Sequence, residues 1–107
     1  MAANPHRGEV TLMIDGVERR LRLTLGSLAA LETRLETGSL MGLAERFESG
    51  RVGTGELIAL LAAGLSGAGD EIGEPELAAA DIDGGAVAAM HAGMALLARA
   101  FQPIGDG

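Results

Sequence analysis

Hydrophobic and polar residues alternate along two short segments near the start of the chain, residues 10–14 and 17–23. Such alternation predicts β-strands that bury one face. Asp15 and Gly16, which lie between the segments, suit the two positive-φ positions of a type I′ turn. We therefore expect a β-hairpin over residues 8–25.

A two-residue turn also fixes the register of the hairpin, placing Leu12 opposite Arg19 and Val10 opposite Leu21. One face then collects the apolar side chains, namely Val10, Leu12, Ile14, Val17, Leu21 and Leu23. Arg19 alone breaks this pattern, and we expect its head group to reach water beside the turn. A lone hairpin is marginally stable, so its apolar face should pack on the helices that follow, in particular the third and the last.

Beyond residue 25, apolar residues recur at intervals of three and four, which predicts helices. Residues that favour helix ends punctuate them: Ser27, Ser39 and Thr54 are predicted N-caps, and Gly50 is a predicted C-terminal stop. The predicted helices cover residues 27–37, 39–49, 55–65 and 86–101. The third is apolar on almost every side and should be the most buried. Residues 66–85 are rich in glycine and acidic residues, which predicts a loop. Within it, residues 75–80 could form a short helix.

These elements indicate one α+β domain over residues 1–107, with a two-stranded antiparallel hairpin packed on about four to five short helices. The chain has no cysteine and only two aromatic residues, so its core should be aliphatic. Without thiols there is no disulfide, and a reducing cytoplasm is the expected location. No apolar run approaches the roughly 20 residues of a membrane span, and the first seven residues do not resemble a signal peptide.

Charge is distributed unevenly. Residues 1–53 carry seven arginines and seven acidic residues, whereas residues 54–107 carry one arginine and eight acidic residues, a net charge of −7. An acidic chain with almost no aromatic residues is a poor binder of nucleic acid, because phosphate contacts and base stacking supply most of that affinity.

Candidate chemistry is sparse. His6 and His91 are the only histidines, and no lysine is present to reach a phosphate. Asp81 and Asp83 resemble the start of a calcium loop, but the acid required at its far end is replaced by Ala92, which favours a capping or turn role. We expect no catalytic residue, no cofactor and no metal, and therefore a binding protein rather than an enzyme.

Two groups of residues are candidates for binding a partner. Four acidic residues, Asp70, Glu71, Glu74 and Glu76, form either a solvated loop or a docking surface for a basic partner. Met90 and Met94 belong to a stripe on the last helix with Val87, Leu97 and Phe101, next to small residues at 89, 93 and 100. Such a stripe is either core or an adaptable surface for a partner helix, and the pattern leaves both open.

The chain resembles the gene transfer agent family of small phage-like tail proteins, encoded between the major tail protein and the tape-measure protein in gene transfer agent clusters and related prophages of alphaproteobacteria. The similarity lies in the segments 4–10, 12–16, 21–32, 43–47 and 57–65 and at Phe101. The first of these segments is the more specific, since the later alanine- and leucine-rich helices match many proteins.

The resemblance implies a role in tail morphogenesis. A subunit of the tail tube adds several long strands to a closed barrel, whereas this chain offers one hairpin. The favoured role is therefore a tail assembly chaperone that holds the tape-measure or tail tube protein, acting in the cytoplasm. The alternatives are a minor structural tail or tail-tube component incorporated in the particle, or an unrelated small regulatory dimer. Homo-oligomerisation is left open by the pattern.

Overall fold

The computed structural model describes residues 9–35 and 38–101 and shows a hairpin followed by helices. Its elements are β1 (Val10–Ile14), β2 (Val17–Leu21), α1 (Leu25–Arg34), α2 (Leu40–Ser49), α3 (Thr54–Gly67), α4 (Glu74–Ala79) and α5 (Gly85–Ala100). The predicted α+β class, a two-stranded antiparallel hairpin on a helical bundle, is confirmed. The predicted hairpin start at residue 8 and the predicted helix end at residues 36 and 37 lie outside the described residues.

The hairpin has the predicted register, with Leu12 opposite Arg19 and Val10 opposite Leu21. Asp15 and Gly16 both have positive φ, 52° and 80°, as a type I′ turn requires. The apolar face is buried at three positions, Leu12, Ile14 and Leu21. Val17, predicted on that face, is 49% exposed, whereas Ile14 on the other side of the turn is 2% exposed and pairs with Ile82.

Helix α3 lies at the centre of the molecule, as its apolar composition predicts. It contacts α1, α4, α5 and β2, while β1 packs on α5. Its buried residues are Leu57, Ala59, Leu60, Leu61, Gly64 and Leu65. The expected packing of the hairpin on the third and last helices is therefore present.

The backbone of the hairpin approaches α3 very closely at two glycines. The N–H of Arg22 donates to the carbonyl of Gly64 at 2.8 Å. A Cβ added at Gly64 would lie 3.0 Å from Leu21 Cβ and 2.9 Å from Leu96 Cδ1, and one added at Gly67 would overlap the carbonyl oxygen of Arg22. Gly67 therefore belongs to a helix that contacts the hairpin, and not to the loop predicted from residue 66 onward.

Two predicted caps are wrong by a few residues. Thr24, not Ser27, is the N-cap of α1, and the Ser27 hydroxyl accepts from the Thr24 N–H at 2.7 Å in a reciprocal capping box. Helix α3 is capped from Gly53 instead of Thr54, since the Gly53 N–H donates to Glu56 Oε1. The caps at Ser39 and Gly50 of α2 are as predicted.

Residues 81–83 continue the hairpin for a short distance. Asp15 N–H donates to Asp81 O at 2.7 Å, Asp83 N–H donates to Met13 O at 3.1 Å, and Ile82 forms an antiparallel bridge with Ile14. The N-cap of α5 is Gly84, so the predicted capping role of the two aspartates is wrong. Asp83 does lie in the turn that leads into α5.

Residues 9–35 and 38–101 contain neither a membrane span nor a cluster of metal ligands. Within them no helix combines the length and the apolar character needed to cross a membrane. Nor do these ranges bring together three or more histidine or acidic side chains in an arrangement that could hold a metal ion.

Gly67→Ala should destabilise the fold, because the new methyl group meets a backbone carbonyl that cannot move without displacing β2. We expect a loss of about 1–3 kcal/mol in the free energy of unfolding. The matched control is Gly55→Ala in the first turn of the same helix, where nothing lies within 4 Å of the added Cβ. This control should gain up to about 1 kcal/mol. Equal urea midpoints for the two variants would contradict the observed approach of β2 to α3.

Candidate partner-binding surfaces

Helix α5 buries three small residues and two leucines, and leaves several of its other large apolar residues exposed. Its buried residues are Ala89, Ala92, Gly93, Leu96 and Leu97. A Cβ added at Gly93 would lie 3.0 Å from Phe47 Cζ and 3.1 Å from Leu57 Cδ1, so glycine lets α5 lie close to α2 and α3 without displacing these side chains. Of the predicted stripe, Leu97 alone is fully buried, and the core interpretation is wrong for Val87, Met94 and Phe101.

Val87 and Met94 on one side of α5 and Phe101 at its C-cap follow one another at intervals of seven residues, and they are 65%, 49% and 46% exposed. Met90, between the first two, is half-buried against the core. We name Val87, Met90, Met94 and Phe101 the α5 stripe. An apolar row at seven-residue spacing is the pattern that a partner helix recognises.

The four acidic candidates have different surroundings. Asp70 forms an ion pair with Arg19 at 2.7 Å, and the Arg19 side chain stays 31% exposed, so its charge is paired at the surface of the protein. Glu74 accepts two hydrogen bonds from Arg34 of α1, at 2.5 and 2.9 Å. Glu71 accepts a hydrogen bond from the Ser66 hydroxyl at 3.3 Å. Exposed Glu76 forms no ion pair with any described residue.

Two of the four acids therefore hold the segment between α3 and α4 against β2 and α1. Of these four acidic residues, Glu71 and Glu76 are the two that form no ion pair with a described arginine. The structure does not gather the six predicted residues into one pocket: of them, only Glu74 lines the larger groove described next.

This groove, of about 860 Å³, lies where α1, α3 and α4 meet the end of α2. The Arg34–Glu74 pair and the Arg46–Glu56 pair, the latter at 2.8 Å, line it. Ile58, Ala59, Pro75 and Ala78 supply its apolar part. The lining of the groove contains no histidine, serine or cysteine, and both of its carboxylates are paired with arginines.

Hydrogen bonding to Arg34 lowers the pKa of the Glu74 carboxyl, while burial opposes that shift in part. The same hydrogen bonds raise the pKa of Arg34. Both shifts favour the charged forms, which is the behaviour of a structural ion pair.

Val87 and Phe101 are exposed residues of the stripe that the sequence analysis does not name among the partner-binding candidates. A signal was present in the sequence, because Ala89, Ala92, Gly93 and Leu96 form a second apolar face of the same helix. Small residues allow close helix packing, and the bulky stripe then has to lie elsewhere.

A family model described as phage tail tube protein, GTA-gp10, matches residues 7–103. The chain belongs to this family. No match to the chain was found among curated proteins or among solved structures.

Membership confirms the resemblance to gene transfer agent tail proteins and assigns the chain a tail-related role. In the part of this family member that the structure describes, the only sheet is the two-stranded hairpin. Candidate surfaces for such a role are the α5 stripe, residues 70–76 (which we call the acidic segment) and the groove between α1, α3 and α4.

Glu74→Gln should weaken the fold at neutral pH and have less effect in acid. Because the pKa of Glu74 is lower in the folded chain, its ion pair stabilises at neutral pH, and this contribution is lost as the pH falls below about 5. The difference in unfolding free energy between parent and variant, measured by urea titration, should shrink from about pH 7 to about pH 3. Glu76→Gln on the same helix is the control and should track the parent; a constant difference for Glu74→Gln would contradict the assignment.

Proposed function

We propose that this protein is a tail assembly chaperone that binds the tape-measure protein or the tail tube protein before the tail polymerises. The observation that carries the proposal is the α5 stripe, an exposed apolar row on a well-packed helix. Surface residues of this size and regularity mark sites of protein contact. A helical partner with apolar residues at matching intervals would cover Val87, Met94 and Phe101.

The sheet content supports a helper role over that of a barrel subunit. A tube built from a closed barrel requires strands that continue from one subunit to the next, since closure is what removes sheet edges. The described residues supply two strands of five residues each, and β1 and β2 pack on helices.

Charge supports the choice of partner. The net charge of −7 belongs to residues 54–107, the half of the chain that carries the α5 stripe and the acidic segment. Exposed charge of one sign attracts a basic surface and accelerates association, while apolar contacts determine how long the complex lasts. Glu71 and Glu76 are the acidic candidates best placed to act in this way.

A minor structural component of the tail is the second candidate, because the family is described as a tail tube protein. Mass spectrometry of purified particles separates the two roles. A chaperone is absent from finished particles, whereas a structural component is retained in fixed proportion to the major tail protein. Neither role requires catalysis, and we propose none.

Met94→Asp should weaken binding to the tail partner without unfolding the protein, because the side chain is already half in solvent. In co-expression pull-downs and surface-binding kinetics we expect the dissociation rate to rise roughly tenfold or more. Met41→Asp is the control, since Met41 is 62% exposed on α2, outside the stripe, and its variant should behave like the parent. Recovery of neither tail protein with the parent chain would contradict the chaperone proposal.

The double variant Glu71→Gln, Glu76→Gln should slow association at low salt and flatten its dependence on ionic strength. Asp70 and Glu74 are not substituted in this variant. Their ion pairs stabilise the fold, so replacing them would mix a change in stability with the change in association rate. The dissociation rate should stay near that of the parent. An unchanged association rate at low salt would show that these charges do not steer the partner.

A further inference from the structure

Besides the α5 stripe, the outer edge of β1, on the side away from β2, is a surface to which a partner can bind. In a hairpin with a two-residue turn, the residues that flank the turn exchange hydrogen bonds, and alternate residues do so from there onward. Ile14, Leu12 and Val10 therefore direct their backbone groups toward β2. Thr11 and Met13 direct theirs outward, and the Met13 carbonyl does accept a bond from outside, from the Asp83 N–H.

Among the described residues, 81–83 cover the turn end of this edge and none pairs with the remainder of it. Ile82 pairs with Ile14 in antiparallel fashion, and the chain then turns away at Gly84 into α5. Thr11 N–H and C=O receive no such partner from the described residues. The edge of β1 therefore already pairs with residues 81–83 near the turn. Its backbone groups at Thr11 are available to a further strand.

A groove of about 390 Å³ runs beside this edge. One side is formed by β1, from Val10 to Met13, and the other by α5 through Ala88, His91, Ala92 and Ala95. The α5 residues are mostly alanines, so the space next to the strand is not filled by side chains. An extended backbone needs such space to approach the edge of a sheet.

The groove is acidic. Glu18 and Asp83 line it, and no arginine does. Two copies of this chain, each with a net charge of −7, would repel one another across it. A strand with basic side chains at alternate positions is the complementary occupant.

We propose that an extended, basic segment of a partner polypeptide adds to the edge of β1 as a third strand, seated between β1 and α5. Main-chain hydrogen bonds at Thr11 supply the affinity, and Glu18 and Asp83 select basic side chains. This site is distinct from the α5 stripe and stands whether the protein acts as a chaperone or as a structural component.

Thr11→Pro tests the proposal. Proline removes the outward N–H of residue 11 but no bond to β2, and proline is tolerated at such edge positions. The control Thr11→Val keeps the N–H. The probe is a capped hexapeptide of alternating valine and arginine, titrated into the full chain and followed by amide chemical shifts and hydrogen exchange.

In the parent, the peptide should shift the Thr11 and Met13 amides and slow exchange at Thr11. Thr11→Pro should lower the affinity at least roughly tenfold, while Thr11→Val should keep it within about twofold. Ala95→Gln, which narrows the groove and leaves the edge intact, should weaken binding as well, and it preserves the test if the proline variant does not fold. Melting temperatures identify the folded variants.

Three results would overturn the proposal. These are an absence of any shift at Thr11 on addition of the peptide, equal affinities of folded Thr11→Pro and Thr11→Val, and equal binding of a peptide methylated on alternate backbone nitrogens. Shifts at Thr11 that follow protein concentration without peptide would show that a second copy occupies the edge instead. Each result is independent of the pull-downs with tail proteins, so failure here leaves the proposed function untouched.

Discussion

The fold depends on the close approach of the hairpin backbone to helix α3. Arg22 donates its N–H to the carbonyl of Gly64, and Gly67 leaves space for the carbonyl of Arg22. Leu21, which immediately precedes that contact, is fully buried. A two-stranded hairpin is marginal by itself, so this docking is what makes it a stable part of the protein. The position of β1 against α5, and of the segment at Ile82 against β1, follows from it.

Packing with small residues explains why α5 has two usable faces. Gly93 and its neighbouring alanines bring α5 close to α2 and α3, and the larger Val87, Met94 and Phe101 are left on the outside. The core itself is mainly leucine, and the small residues of α5 let this helix lie close to that leucine-rich interior. Ala92, together with Ala88 and Ala95, also lines the groove beside β1 and leaves it unfilled by large side chains. Small residues on α5 therefore contribute to both surfaces for which we propose partners.

Two ion pairs hold the segment between α3 and α4 against the first half of the chain. Arg19 and Arg34 come from the electrically neutral first half and hold Asp70 and Glu74, which belong to the acidic second half. Such pairs on partly exposed side chains contribute little stability each, but they fix where the segment between α3 and α4 lies. The uncompensated Glu71 and Glu76 are consequently presented from a segment held at both ends.

The sequence by itself determined the hairpin, its turn and its register, because alternation and the Asp15–Gly16 turn are local properties that agree with each other. It also identified α3 as the central helix and the family to which the chain belongs. Only the tertiary structure decided which face of α5 is buried, since apolar periodicity marks a helix without stating whether its large or its small residues meet the core. The partner of Arg19 and the helical role of Gly67 were likewise undecided, because each depends on a contact more than forty residues away in the chain.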